Sequence, residues 1–139
     1  MRIVPGLATL FLALPALTQQ AQPPATDADR ARWTMSDMRS LATAVEAFAV
    51  DHNEYPKGTT LDAIAAAIEP VYIRKAPRRD AWGYPYLYEC KDGRSYTIVS
   101  VGADGTRDQG SSAPTAAANS YAADAVFADG QFVRSWAYR

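Results

Sequence analysis

Two hydrophobic periods divide this chain, and the change from one to the other limits what it can fold into. From Asp27 onward, Met35, Met38, Leu41, Ala42, Val45, Phe48 and Ala49 recur at steps of three and four. That spacing places them on one face of an α-helix. Asp37, Arg39, Thr43, Glu46 and Asp51 occupy the other side. Thr26 or Asp27 can cap the start, and Asn53 followed by Tyr55-Pro56 supplies a left-handed stop and a residue that cannot continue the helix. Such a helix runs about 25 residues, or roughly 37 Å.

A shorter helix is expected from Thr60 as N-cap, with Leu61, Ile64, Ala65 and Ile68 on one face and an end near Pro70. Residues 71–79 read as a loop carrying Arg74, Lys75, Arg78 and Arg79, either a solvated surface or a contact for an acidic partner. Strand patterns then take over. Tyr86 to Cys90 and Tyr96 to Val101 flank Lys91-Asp92-Gly93-Arg94, whose Asp-Gly pair suits a tight hairpin. Ala125 to Phe127 and Gln131 to Arg134 flank a second Asp-Gly turn at Asp129-Gly130. Four short strands after a long amphipathic helix predict an α+β domain, with the helix covering one face of an antiparallel sheet.

With 139 residues, 48% of them hydrophobic, the chain can bury the core of one domain. Fourteen Lys and Arg against fifteen Asp and Glu leave no basic excess, so nucleic acid is not an expected partner. Met1-Arg2 and the apolar run from Ile3 to Leu17 read as an export signal over residues 1–21, with cleavage between about residues 18 and 25. Residues 22–29 read as a flexible lead-in and 30–139 as the domain. The expected location is periplasmic or extracellular, with no stable membrane span once the signal is removed and envelope anchoring if it is kept. Cys90 is the single cysteine, so no internal disulfide can form and another staple would help a domain of this size.

The loop between the hairpins, residues 102–123, is rich in Gly, Ser, Ala and Asp and has no apolar period. Loops of that length are usually functional or disordered. Its carboxylates at Asp104, Asp108 and Asp124 would repel one another if brought together, unless a hard cation such as Ca²⁺ sat between them. The carbonyl of Val101 and the hydroxyls of Ser111 or Ser112 are further oxygen donors. The spacing is not that of an EF-hand, because the twelfth position counted from Asp104 is Thr115.

Four segments taken in order, Asp37-Met38-Arg39-Ser40-Leu41, Asp51-His52-Asn53-Glu54-Tyr55-Pro56, Asp80-Ala81-Trp82-Gly83-Tyr84-Pro85-Tyr86 and Ser100-Val101-Gly102-Ala103-Asp104-Gly105, resemble protein G, the major pseudopilin of bacterial type II secretion systems. The resemblance covers roughly residues 30 to 134. It implies a long N-terminal helix on a small antiparallel sheet, a non-catalytic role and a Ca²⁺ ion clamping the loop between strands. Ligation would fall on Asp104 and the carbonyl of Val101, then on Asp108 and Asp124. It also implies partners among envelope or secretion-apparatus proteins, with self-association. Two features depart from the family. The basic leader and Glu-bearing apolar helix of pseudopilins are replaced by what reads as an ordinary signal, and Ala81 and Tyr84 stand where the family commonly has Pro and Asn.

Other chemistry is sparse. His52 is the only histidine, which excludes a zinc cluster built on several imidazoles. Cys90 with His52 is the one nucleophile and base combination to weigh, and it gives a hydrolase reading ranked below the others. Glu46 and Asp51 sit five residues apart and need share no site. Trp33, Trp82 and Trp136, with eight tyrosines, suit packing or a ligand groove. The expected function is a non-catalytic pseudopilin-like module, with an envelope ligand-binding or sensory domain as the alternative.

Overall fold

A computed structural model describes residue 23 and residues 26–109 and 120–137. The element order is α1 (Asp27–His52), α2 (Leu61–Ile68), β1 (Leu87–Glu89), β2 (Thr97–Ser100), β3 (Ala125–Ala128) and β4 (Gln131–Arg134). The protein is therefore α+β, as the two periods predict. The expected signal, residues 1–21, falls outside the described residues. The helix already begins at Asp27, inside the stretch assigned to the lead-in.

Helix α1 starts where local chemistry dictates. Thr26 accepts the backbone N–H of Asp29, and the Asp29 carboxylate reaches back to the Thr26 backbone, forming a capping box. Asn53 closes the helix in the left-handed conformation, its N–H donating to the Ala49 carbonyl. Thr60 caps α2 by accepting the N–H of Ala63 at 3.1 Å. The four strands form one antiparallel meander in the order β1-β2-β3-β4.

Met38, Leu41 and Val45 of α1 are fully buried in one cluster with Tyr88, Tyr96, Ile98 and Phe127 of the sheet side and Ile64 and Ile68 of α2. Val99 and Val126, paired across β2 and β3, are buried outside that cluster, as alternation along a pleated strand requires.

The second hairpin turns at Asp129 and Gly130, both at positive φ, as a two-residue Asp-Gly turn demands. The first connection is wider than the tight turn expected, because paired residues end at Glu89 and Thr97. Cys90 pairs instead with Gly58, by reciprocal bonds of 2.9 and 3.0 Å, and Tyr55 donates to the Gly93 carbonyl. Competition from the segment after α1 holds this turn open.

Candidate functional site

The long loop closes because its ends belong to paired strands: Ser100, the last residue of β2, lies opposite Ala125, the first of β3. Residues 110–119, including Ser111 and Ser112, are outside the described set. The loop's outgoing and returning limbs touch at once. Ala103 donates to the Tyr121 carbonyl at 2.8 Å. Gly102 has φ +70, and a Cβ there would stand 2.5 Å from the Tyr121 oxygen and 2.7 Å from the Ala123 oxygen. Only glycine fits that approach.

A turn before β1 supports the same end of the molecule. Asp80, 5% exposed, accepts the backbone N–H groups of Trp82 and Tyr84 on Oδ1 and the Ser100 hydroxyl on Oδ2 at 2.7 Å. Ser100 Oγ in turn accepts the N–H of Gly102. Two of the four recognised segments, 80–86 and 100–105, are thus wired together through one carboxylate and one hydroxyl. The Tyr84 ring also lies against Gly105, where a Cβ would meet it at 2.5 Å. Asp80 and Ser100 were not among the expected site residues. The usable signal was a carboxylate opening a Gly-containing turn, a local capping pattern.

Asp108 and Asp124 come together and Asp104 does not join them. The Asp108 N–H donates to Asp124 Oδ2 at 3.1 Å, and the Asp124 N–H returns a bond to Asp108 Oδ2 at 3.0 Å. Arg107 Nη1 pairs with Asp124 Oδ2, and Arg134 Nη1 with Asp108 Oδ2 at 3.3 Å. Asp124 is fully buried, and its Oδ1 has no hydrogen-bond partner. Asp104 is exposed, and its carboxylate caps its own loop by accepting the Thr106 N–H at 2.9 Å. Val101 is buried, 6% exposed, at the mouth of the loop. Among the described residues no three His, Cys, Asp or Glu side chains form a group able to hold a metal.

Asp124 Oδ1 is an oxygen donor of the kind a hard dication accepts, but both carboxylates already carry an arginine. The pair Asp108 and Asp124 meets two arginines in place of the three converging carboxylates expected from the sequence. The missed residues are Arg107 and Arg134, which supply positive charge to both carboxylates. Arg134 lies ten residues beyond Asp124 on β4, so only the strand pairing of β3 with β4 brings it near.

Trp136 fastens the returning limb to the core. Its indole N–H donates to the Ala123 carbonyl at 2.8 Å, and its ring packs edge-on against Trp82 at 5.2 Å. The Trp82 indole N–H donates to Asp27 Oδ1 at the start of α1. These two tryptophans pack internally, whereas Trp33 is 41% exposed.

The remaining candidates have other employment. Cys90 is buried with its thiol toward the Tyr55 carbonyl, while exposed His52 stacks on Phe48 at 3.9 Å. Glu46 accepts the hydroxyls of Tyr55 and Tyr96, and Asp51 that of Tyr72. In the basic loop Arg78 is bound to Asp62 and Glu69, and Arg79 to the Gly83 carbonyl. The Ala76 N–H, and after it Arg78, hold the Glu69 carboxyl below its ordinary range. Arg74 and Lys75 are exposed. Among the described residues no helix is long and apolar enough to cross a membrane.

Comparison with curated proteins finds no match. The family described as type II secretion system (T2SS), protein G, matches residues 24–119, which spans α1, α2, β1, β2 and the outgoing limb of the loop. A match over more than half of the chain, on a long helix packed against a small antiparallel sheet, makes this protein a member of the type II secretion system protein G family.

Proposed function

We propose that this protein is a non-catalytic, exported structural and interaction module of type II protein secretion, working through contacts with other envelope or secretion-apparatus proteins and with its own copies. The observation that supports the reading best is the family match over residues 24–119, joined to a fold in which Asp80, Ser100, Asp108 and Asp124 hold the described limbs of the loop. Calcium is part of the proposal. The candidate donors are Asp104 and the carbonyl of Val101, then Asp108 and Asp124, and the ion would supply loop closure rather than reaction chemistry.

A ligand bound only to the folded state raises stability by RT ln(1 + [L]/Kd). Millimolar Ca²⁺ is therefore expected to raise the melting temperature above that in chelator, and Asp124→Asn to abolish the rise. Identical melting curves in the two conditions remove calcium from the reading. Recovery of secretion-apparatus proteins after cross-linking in the envelope tests the partner class, and a cross-linked set without them overturns it.

A second reading, a ligand-binding or sensory domain, is favoured by a groove of about 680 Å³ between α1 and the β3–β4 hairpin. Arg39, Glu46, Val50, Phe127 and Phe132 line it. Retention of a defined peptide or glycan by the purified domain, lost in Phe132→Ala, would support that reading.

A further inference from the structure

Helix α1 carries a second stripe, Arg39, Thr43, Ala47 and Val50, whose steps of four, four and three keep it on one line beside the core face. With Phe127 and Phe132 these residues line the groove between α1 and the β3–β4 hairpin. Val50 is apolar and 83% exposed. From Arg39 to Val50 the helix rises about 16 Å, the length of roughly five residues of extended chain. The groove holds two charges in different states. Glu46 is held by the hydroxyls of Tyr55 and Tyr96, whereas Arg39 forms no ion pair among the described residues and lies over the Phe132 ring, 5.0 Å from its centre. Strand β4 has no neighbour on its outer side. Ala128 and Gln131 close the two-residue turn as a bonded pair, so the backbone N–H and C=O of Phe132 point away from β3. A bulge after Phe132 bends the strand, and the open edge is confined to the end beside the groove.

The geometry points to this groove as the docking site for an extended segment of a partner protein, one that presents a carboxylate to Arg39 and an apolar side chain to Phe132 and Val50. The inference rests on the reading of the protein as an interaction module and deepens it by naming a surface and the chemistry of its partner; calcium plays no part. An extended segment supplies what each wall of the groove lacks: main-chain groups for Phe132, apolar cover for Val50 and a counter-charge for Arg39. Glu46 lies seven residues beyond Arg39, about 10 Å along the helix, so the groove is positive at one end only. A carboxylate is therefore directed to the Arg39 end. Stacking on Phe132 has already taken part of the guanidinium out of water, which strengthens an ion pair formed there.

The test pans a displayed library of random heptapeptides against the full chain, then titrates the selected peptides into the parent, Arg39→Gln, Arg39→Glu and Val50→Ser by calorimetry. Both positions are exposed, so each variant should fold as the parent does, which its melting curve checks. Selected peptides are expected to carry Asp or Glu close to an apolar residue. Arg39→Gln should raise Kd on the order of tenfold, and Val50→Ser about threefold. Arg39→Glu should reject those peptides and select Lys or Arg from the same library. Methylating the peptide's backbone nitrogens one at a time should weaken binding at the position opposite Phe132; no effect at any position overturns extended docking. Enrichment without an acidic bias, equal binding by the parent and Arg39→Glu, or no enrichment at all also overturns the proposal. A dimer in sedimentation that Arg39→Glu dissociates would assign the groove to a second copy and overturn it too. If the groove selects nothing while envelope cross-links join other faces to secretion-apparatus proteins, the groove proposal falls and the interaction reading stands.

Discussion

The face of the sheet beneath α1 and the end of the molecule closed by loop 101–124 are joined through Trp136, whose ring lies in the core and whose N–H holds the loop. Beneath α1, Met38, Leu41, Val45, Ile98 and Phe127 meet by burial of apolar surface, which has no preferred direction and tolerates swaps of similar volume. At the loop end, cohesion comes from Asp80, Ser100, Asp108, Asp124 and two arginines, each dependent on a particular donor or charge. One region is defined by how much it buries, the other by what it pairs.

The sharpest separation of the two regions is expected at Gly102. Gly102→Ala places a methyl group against the Tyr121 and Ala123 carbonyls on a backbone at φ +70, and should cost roughly 3–5 kcal/mol. Denaturant unfolding measures the cost; a loss below about 1 kcal/mol would mean the limbs are not closed as described. Leu41→Ala should cost about 2–5 kcal/mol by leaving a cavity in the apolar region, equally in chelator and in Ca²⁺. A calcium-dependent cost at Leu41 would erase the division between the two regions.

Proton linkage probes the core side of the comparison. Burial pushes the hydroxyls of Tyr86, Tyr88 and Tyr96 well above the ordinary tyrosine value. A raised acid favours the fold while protonated, so its contribution is fully present below the unfolded value near pH 10 and is lost as pH rises beyond it. An ultraviolet titration should show these three ionising only together with unfolding. Ionisation of all tyrosines before the loss of circular dichroism would contradict their burial. The smallest effect is expected at Asp37, whose carboxyl is raised by burial, partly offset by a bond from Tyr86. Its contribution falls as pH rises through its folded value, so Asp37→Asn should raise the melting temperature slightly at pH 7 and not at pH 3. A lower melting temperature at pH 7 would show that the charge is used.

Much of the architecture was legible along the chain because its signals are local. Thr26, Asn53 and Thr60 act within one helical turn, and Asp129-Gly130 makes the two-residue turn its letters suggest, with the Asp129 carboxylate also accepting the Ser95 hydroxyl and the Tyr96 N–H. Asp92-Gly93 carries the same signal, yet its turn is held open by Gly58 and Tyr55 from more than thirty residues away. The loop was less legible. Asp104, Asp108 and Asp124 are alike as letters, but Asp104 is satisfied by a neighbour two residues on, while Asp108 and Asp124 find each other across sixteen.

From its sequence alone this protein was bound to be an α+β domain: spacing and capping are properties of neighbouring residues, and the order of helices and strands follows from them. Which carboxylates meet, and that Arg107 and Arg134 neutralise them, was decided by the tertiary structure. Pairing of β2 with β3 returns the loop to its start, and pairing of β3 with β4 brings Arg134 alongside. Charges separated along a chain interact only once the fold has removed both the distance and the water between them.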